Sequence, residues 1–279
     1  MNNFNKRIDL HTHSKYSDGS FTPKEVVRMA KEAGLSAIAL TDHDTHAGIK
    51  EAKEEAEKLG IHFIPGVELS TKFKEGSFAK TDIHILCLNF DLQNEKFNKN
   101  LEKIREDRHN INLKIIEAFK AEGIELKYEE ILEKAGVGVV MKVHFVEVLI
   151  DKGYASSHEE AFKRFFSGPI PTNIVSRVLE PRECIEIIKN SGGLSFLAHP
   201  FRYKMDTGAL IDELTSLGID GVEVIYPTHS EEDTEFLMQK AKENNLMMTG
   251  GSDFHGASRE RITLGCVNVP YSFIEDYFL

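Results

Sequence analysis

Apolar residues along this chain follow two rhythms, and the switch between them divides the sequence. Short apolar runs at 7–10, 36–40, 61–67 and 82–88 predict strands. Stretches 23–33 and 45–59 space their apolar residues three and four apart and predict amphipathic helices. Thr22 is placed to cap the first helix with Pro23 in its first position, while Gly34 and Gly60 end the two helices. Strand and helix alternating at this spacing imply parallel βα units. From residue 94 to 167 the pattern is helical and charged, with helices predicted at 97–122, 128–135, 143–152 and 158–166, the last capped by Ser156 or Ser157. The alternation returns after Pro181, with helices at 183–191, 207–217 and 231–244 and strands at 194–198, 221–225 and 246–249. The fold class expected is α/β, an interrupted βα barrel of roughly seven units. Its barrel would comprise 1–98 and 181–279, with a helical domain inserted at 99–180 and the loop Gly168-Pro169-Ile170-Pro171 marking the return.

Most of the predicted strands break off at a histidine or an acid. Asp9-Leu10-His11-Thr12-His13 leads to Asp18-Gly19, and Thr41-Asp42-His43-Asp44, Gly66-Val67-Glu68, Ala198-His199-Pro200 and Gly251-Ser252-Asp253-Phe254-His255 follow in order. Imidazole nitrogens and carboxylates delivered by separate strands to one barrel rim suit metal ligation. His11 and His13 leave an extended chain on one face and can chelate one cation. Six of the twelve histidines (His11, His13, His43, His84, His199 and His255) lie on or near strands beside acidic or tight-turn residues. The other six (His46, His62, His109, His144, His158 and His229) lack that setting. Asp42 and Asp44 suit either orienting an imidazole or capping the next helix. Glu68 at the end of a buried strand would be costly unless bridging metals.

Composition narrows the setting. The net charge is −11, from 34 basic and 45 acidic side chains, which argues against coating duplex DNA but leaves room for a small phosphorylated ligand. Cys87, Cys184 and Cys266 have no CxxC spacing and read as buried thiols of a reducing cytosol. There is no apolar leader and no run near the roughly 20 residues of a membrane span, so a cytoplasmic protein is expected. No obligate protein partner is implied.

The five blocks, in this order, resemble the PHP family (polymerase and histidinol phosphatase), metal-dependent phosphoesterases on a distorted (β/α)7 barrel. The resemblance spans 7–98 and 181–270. Gly153-Tyr154, Glu160-Ala161-Phe162, Gly192-Gly193 and His199-Pro200-Phe201-Arg202-Tyr203 further resemble the branch of nucleoside 3′,5′-bisphosphate phosphatases and 5′→3′ exoribonucleases, where a helical domain caps the barrel mouth. The resemblance implies a trinuclear site of divalent metal ions, Mn, Fe or Zn. His11, His13, Glu68 and Asp253 would hold the first ion; Glu68, His84 and His199 the second; Asp18, His43 and His255 the third. It implies attack of a metal-activated hydroxide on phosphorus, with no nucleophilic Ser or Cys.

The substrate side rests on fewer residues. Arg105 and Arg108 share a face of the long insertion helix and suit either a phosphate clamp or a solvated charged surface. Arg202 and His229 fall near the metal rim, where a phosphate contact or, for His229, protonation of the leaving group is expected. Asp18 and His43 would also face the substrate. Lys142-Val143-His144 stands where the branch commonly has Arg-Pro-His, and Thr172-Asn173-Ile174 replaces its usual lysine- or tyrosine-containing segment. The expected substrate is a nucleoside 3′,5′-bisphosphate or the 5′ end of a short single-stranded RNA. The alternatives are a histidinol-phosphate-type phosphomonoesterase and a non-catalytic metal or nucleotide sensor.

Overall fold

The computed structural model describes residues 6–79, 81–166, 179–259, 261–275 and 277–278. The expected return loop at 168–171 and the 172–174 segment lie outside them. Eight strands form one sheet: β1 (Arg7–Asp9), β2 (Leu35–Leu40), β3 (His62–Lys72), β4 (Asp82–Leu88), β5 (Leu194–Leu197), β6 (Gly221–Ile225), β7 (Met247–Gly250) and β8 (Val269–Pro270). Their order is β7-β6-β5-β4-β3-β2-β1-β8. The sheet is nearly closed, since Leu10 N donates to Gly250 O (3.1 Å) and Thr12 bridges Phe254, bringing the ends of β1 and β7 together.

The helices are α1 (Pro23–Glu32), α2 (Ile49–Leu59), α3 (Glu95–Ala121), α4 (Tyr128–Ala135), α5 (Lys142–Asp151), α6 (His158–Ala161), α7 (Pro181–Asn190), α8 (Thr207–Ser216), α9 (Glu231–Glu243) and α10 (Ser272–Glu275). Thr22 caps α1 in a capping box with Glu25, and Ser157 caps α6. The last expected insertion helix is split, with a π turn at Phe162–Phe166 following α6. The second helix starts at Ile49 rather than at residue 45, and its N-cap Gly48 makes no side-chain hydrogen bond.

The sheet is mixed, which corrects the parallel reading. β1, β2 and β3 pair in parallel, as do β5, β6 and β7, but β4 is antiparallel to both β3 and β5. β8 adds an antiparallel edge beside β1 that the hydrophobic rhythm did not reveal, being two residues long. Reversal of β4 matters for chemistry. Because this strand runs the other way, its beginning, not its end, reaches the rim served by the ends of its neighbours. β3 also continues past Glu68 to Lys72 and pairs Ser70 with His84.

Alternate strand residues separate two faces. Ile8 and Leu10, Ala37 and Ala39, Leu86 and Leu88, and Phe196 and Ala198 share one buried cluster, joined by Ile274 of α10. Ile38 and Leu40 instead pack with Val26, Val27 and Ala30 of α1 and Ala52 and Ala56 of α2. The helical insertion α3–α6 carries its own apolar cluster, in which Phe119, Ile131, Phe145, Leu149 and Phe165 are buried. Cys87 and Cys184 are buried as expected, whereas Cys266 is exposed. Among the described residues no helix is long and apolar enough to cross a membrane.

Candidate metal centre

Local backbone constraints bring the histidine blocks together. Gly251 lies so close to β1 that a Cβ there would sit 2.5 Å from the Cβ and N of His11, so no larger residue fits this approach. Asp9, buried below, accepts from Ser252 N and Gly265 N (both 2.9 Å) and ties the last block to the first. Asp42 accepts from Ser14 N (2.7 Å), Ser14 Oγ (2.6 Å) and Ser17 Oγ (2.7 Å), which fixes the turn between His13 and Asp18. Asp44, His199 and Asp253 have φ of 55°, 33° and 53°. Left-handed backbone at a non-glycine residue costs energy, and three such residues here mark a site held in place by its surroundings.

Glu68 is the hub. Its Oε1 lies 2.7 Å from His84 Nδ1 and 3.0 Å from His199 Nε2, and its Oε2 lies 3.2 Å from His11 Nε2, His13 Nε2 and His43 Nδ1. Asp253 Oδ1 adds contacts of 3.4 Å to His11 Nε2 and 3.3 Å to His13 Nε2. Asp18 faces His255 Nε2 at 3.3 Å and His43 Nε2 at 3.8 Å.

Three groups of donors, each with atoms within 4.8 Å of one another, result: His11, His13, Glu68 and Asp253; His13, Asp18, His43 and His255; and His43, Glu68 and His84. All nine residues expected as ligands therefore meet at one rim. The grouping differs from expectation in two respects: His13 also joins Asp18, His43 and His255, and His43 joins Glu68 and His84 while His199 touches the same carboxylate from outside that trio.

These donors fit a cation. The Nε2 atoms of His11 and His13, His43 Nδ1, Asp18 Oδ1 and Glu68 Oε2 are buried without a hydrogen-bond partner. Each such orphan costs about 1–3 kcal/mol, a penalty folds rarely retain unless a ligand offsets it. The donor set is imidazole and carboxylate without thiolate, matching borderline divalent ions.

Charge follows the same geometry. Burial alone would raise the Glu68, Asp18 and Asp253 carboxyls, yet the groups packed around them hold all three well below the usual range: chiefly His43 and His84 for Glu68, His255 and His43 for Asp18, and Arg259 and His11 for Asp253. Burial opposes a charge on His13, but contacts with Asp253 and Glu68 lift it to about 9. Burial outweighs its acidic neighbour for His199, lowered to about 3.

Several residues around this centre escaped the sequence reading. Glu223, fully buried on β6, accepts from His11 Nδ1 (3.1 Å) and from His199 N (2.7 Å). A lone acid in an apolar strand was its signal, the same one that singled out Glu68. Asp253 Oδ2 receives the Tyr226 hydroxyl (2.8 Å), Arg202 Nη1 (3.1 Å) and Arg259 Nη1. Arg259 ends a single 3-10 turn (Gly256–Arg259), too short for any periodicity to point to it. The Tyr203 hydroxyl accepts from His84 N (2.8 Å).

The expected substrate residues are placed unevenly. Arg105 Nη1 donates to Asp44 O (3.2 Å), and Arg108 donates to the Asp44 carboxylate and to Ser70 Oγ (2.9 Å). Both therefore leave the solvated surface and lean on the residue after His43, and Asp44 neither caps α2 nor stays free. His229 lies outside the donor groups, its ring against Phe201 and Tyr226 and its Nδ1 donating to Val224 O (3.1 Å). Lys142 opens α5 at the surface, and buried His144 accepts from Met141 N through Nδ1 (2.9 Å).

Known proteins are similar to this chain over most of its length. The chain is 35% identical over 254 residues to a 5′-3′ exoribonuclease of Haemophilus influenzae, covering 90% of each. It is 30% identical over 252 residues to a 3′,5′-nucleoside bisphosphate phosphatase of Chromobacterium violaceum, covering 89% of this chain and 87% of that one. A phosphoribosyl 1,2-cyclic phosphate 1,2-diphosphodiesterase of Eggerthella lenta is 31% identical, over 89% and 94%. A solved structure of a Chromobacterium violaceum amidohydrolase with bound sulfate superposes with a TM-score of 0.82 at 28% identity, covering 95% of this chain and 92% of that one. The profile of the PHP domain matches residues 9–197. With its buried His, Asp and Glu cluster and these relatives, the chain belongs to the PHP family of metal-dependent phosphoesterases.

Proposed function

We propose that this phosphoesterase hydrolyses nucleoside 3′,5′-bisphosphates or trims the 5′ end of short single-stranded RNA. The observation that carries the reading is the pair Arg105 and Arg108, two cations of the insertion held against Asp44 beside the donor cluster. A substrate with one phosphate at the cluster and a second phosphate for the arginines beside it suits that layout. The names of the Haemophilus and Chromobacterium relatives support it.

In this reading the nine residues His11, His13, Asp18, His43, Glu68, His84, His199, Asp253 and His255 hold up to three divalent ions, Mn, Fe or Zn. Bound ions would supply Lewis acidity and a water acidic enough to attack phosphorus near neutral pH. Arg202, half-exposed and already paired with Asp253, binds the non-bridging phosphate oxygens. His229 protonates the leaving oxygen. Its Nδ1 hydrogen is committed to Val224 O, so the proton passes from Nε2 and requires the imidazolium form. The barrel of 1–98 and 181–279 carries the chemistry, and 99–180 forms the cap that selects substrate.

A phosphate-release screen with metal analysis tests the reading. It would cover nucleoside bisphosphates, 5′-phosphorylated oligoribonucleotides and histidinol phosphate. Arg105→Ala with Arg108→Ala should raise KM for bisphosphates about tenfold or more while sparing a simple monoester. Turnover of histidinol phosphate alone would replace the reading with a monoesterase of another substrate. Nucleotide binding by metal-loaded protein without phosphate release from any ester would replace it with a sensor.

A further inference from the structure

We infer that a cavity between the insertion and the metal-bearing loops is the site that grips the nucleobase of the substrate, an inference that rests on the nucleotide reading above. The cavity measures about 350 Å³ and is bounded by Tyr16 and Thr45 on the barrel side and by α3, α4 and the 137–140 loop on the other. It shares its barrel-side wall with the loops that carry the donor cluster. Tyr16 lies two residues from Asp18 and Thr45 two from His43, while Arg105 and Arg108 line the cavity and also reach Asp44.

The walls suit a flat heterocycle. Tyr128 and His109 stand edge to face with ring centroids 5.0 Å apart, their relative pose fixed by a 2.9 Å contact between the Tyr128 hydroxyl and His109 Nδ1. Leu132 and Val137 complete an apolar wall and are 45% and 74% exposed. Large aliphatic side chains left open beside a cavity mark a surface that a ligand covers. A cavity lined both by the cations Arg105 and Arg108 and by aromatic and aliphatic groups matches a molecule that carries both a phosphate and a base.

The cavity is built rather than incidental. A Cβ at Gly138 would lie 2.5 Å from Lys15 O and 2.8 Å from Ser17 O, so the insertion loop presses directly on the backbone of the Asp18 turn. Val139 N donates to Tyr16 O (2.9 Å), and buried Asn112 holds Val140 O through Nδ2 (3.1 Å). The loop that walls the cavity is thereby tied both to α3 and to the turn carrying a predicted ligand. A base seated here would hold its phosphate in register with the centre.

Two exposed wall residues allow a test that spares the fold. Leu132→Trp fills the cavity and Val137→Glu puts a hydrated charge into the apolar wall that the base would cover. Binding of adenosine 3′,5′-bisphosphate and of base-free ribose 3,5-bisphosphate would be measured by calorimetry, and turnover of both followed by phosphate release. The wild type should prefer the base-bearing ligand about tenfold or more, and both variants should erase that preference with base-free turnover unchanged. Nucleotide turnover unaffected by either variant would overturn the cavity's role and leave the substrate class standing. Equal loss on base-free and base-bearing ligands would also overturn it. A wild type that neither binds nor hydrolyses the nucleotide would overturn both readings.

Discussion

Replacing Glu223 with Gln should weaken metal binding without weakening the fold. Glu223 sits at zero exposure on β6; its Oε1 accepts from His11 Nδ1 (3.1 Å), and its Oε2 accepts from His199 N (2.7 Å) and lies 3.3 Å from the same Nδ1. Accepting from Nδ1 sets the His11 tautomer, so Nε2 carries the lone pair that faces Glu68 and Asp253. A glutamine has one acceptor and one donor at the same two positions. The backbone N–H of His199 only donates, so it claims the amide oxygen, and the amide NH2 then faces His11 Nδ1. His11 must move its proton to Nε2, which removes the lone pair from the ion. Loss of such outer support typically weakens binding 10- to 100-fold, about 1.4–2.7 kcal/mol. Metal-free stability should change little, because burial raises the Glu223 carboxyl and opposes its charge despite the nearby His11. Competition titration against a chromogenic chelator, with ion stoichiometry by emission spectroscopy, reads the effect. Unchanged affinity and stoichiometry in a folded Glu223→Gln protein would refute the tautomer argument.

Two further outcomes follow from the insertion. Burial lowers His144 to about 4, and its Nδ1 accepts from Met141 N, so it is neutral in the folded state. Its folded pKa lies below its unfolded one, so the associated stability is complete above about pH 6.5 and is lost as pH falls toward 4. The loss is at most about 3 kcal/mol; denaturant titrations across that window should flatten in a His144→Asn variant, and an unchanged slope would contradict the assignment. Phe119→Ala, at a fully buried position packed on Phe165 and Phe166, should cost about 3–5 kcal/mol. If 99–180 is a unit of its own, calorimetry should show that loss in one transition while metal affinity is retained; equal destabilisation of every transition would argue for a single cooperative body.

How much of this was legible in the sequence follows from range. His11 and His13, two residues apart, and Asp253 and His255 at the other end announce themselves because strand alternation and glycine-flanked exits are local signals. The amphipathic helices and the insertion were legible for the same reason. The direction of β4 was not. A seven-residue apolar strand reads the same whichever way it runs, and only its pairing with β3 and β5 reveals the reversal.

That reversal accounts for His84, whose position early in its strand looks out of place among ligands at strand ends. In an antiparallel neighbour the third residue lies opposite Ser70, two beyond Glu68, so the imidazole reaches the shared carboxylate from the same rim. Glu223 was missed for a different reason. Its partners are His11, 212 residues away, and His199, 24 residues away, and no local spacing links the three. Yet a buried carboxylate in an apolar strand costs as much at 223 as at 68. The desolvation argument that singled out Glu68 applies equally to Glu223, with the difference that Glu68 stands inside the donor cluster and Glu223 braces two of the histidines beside it.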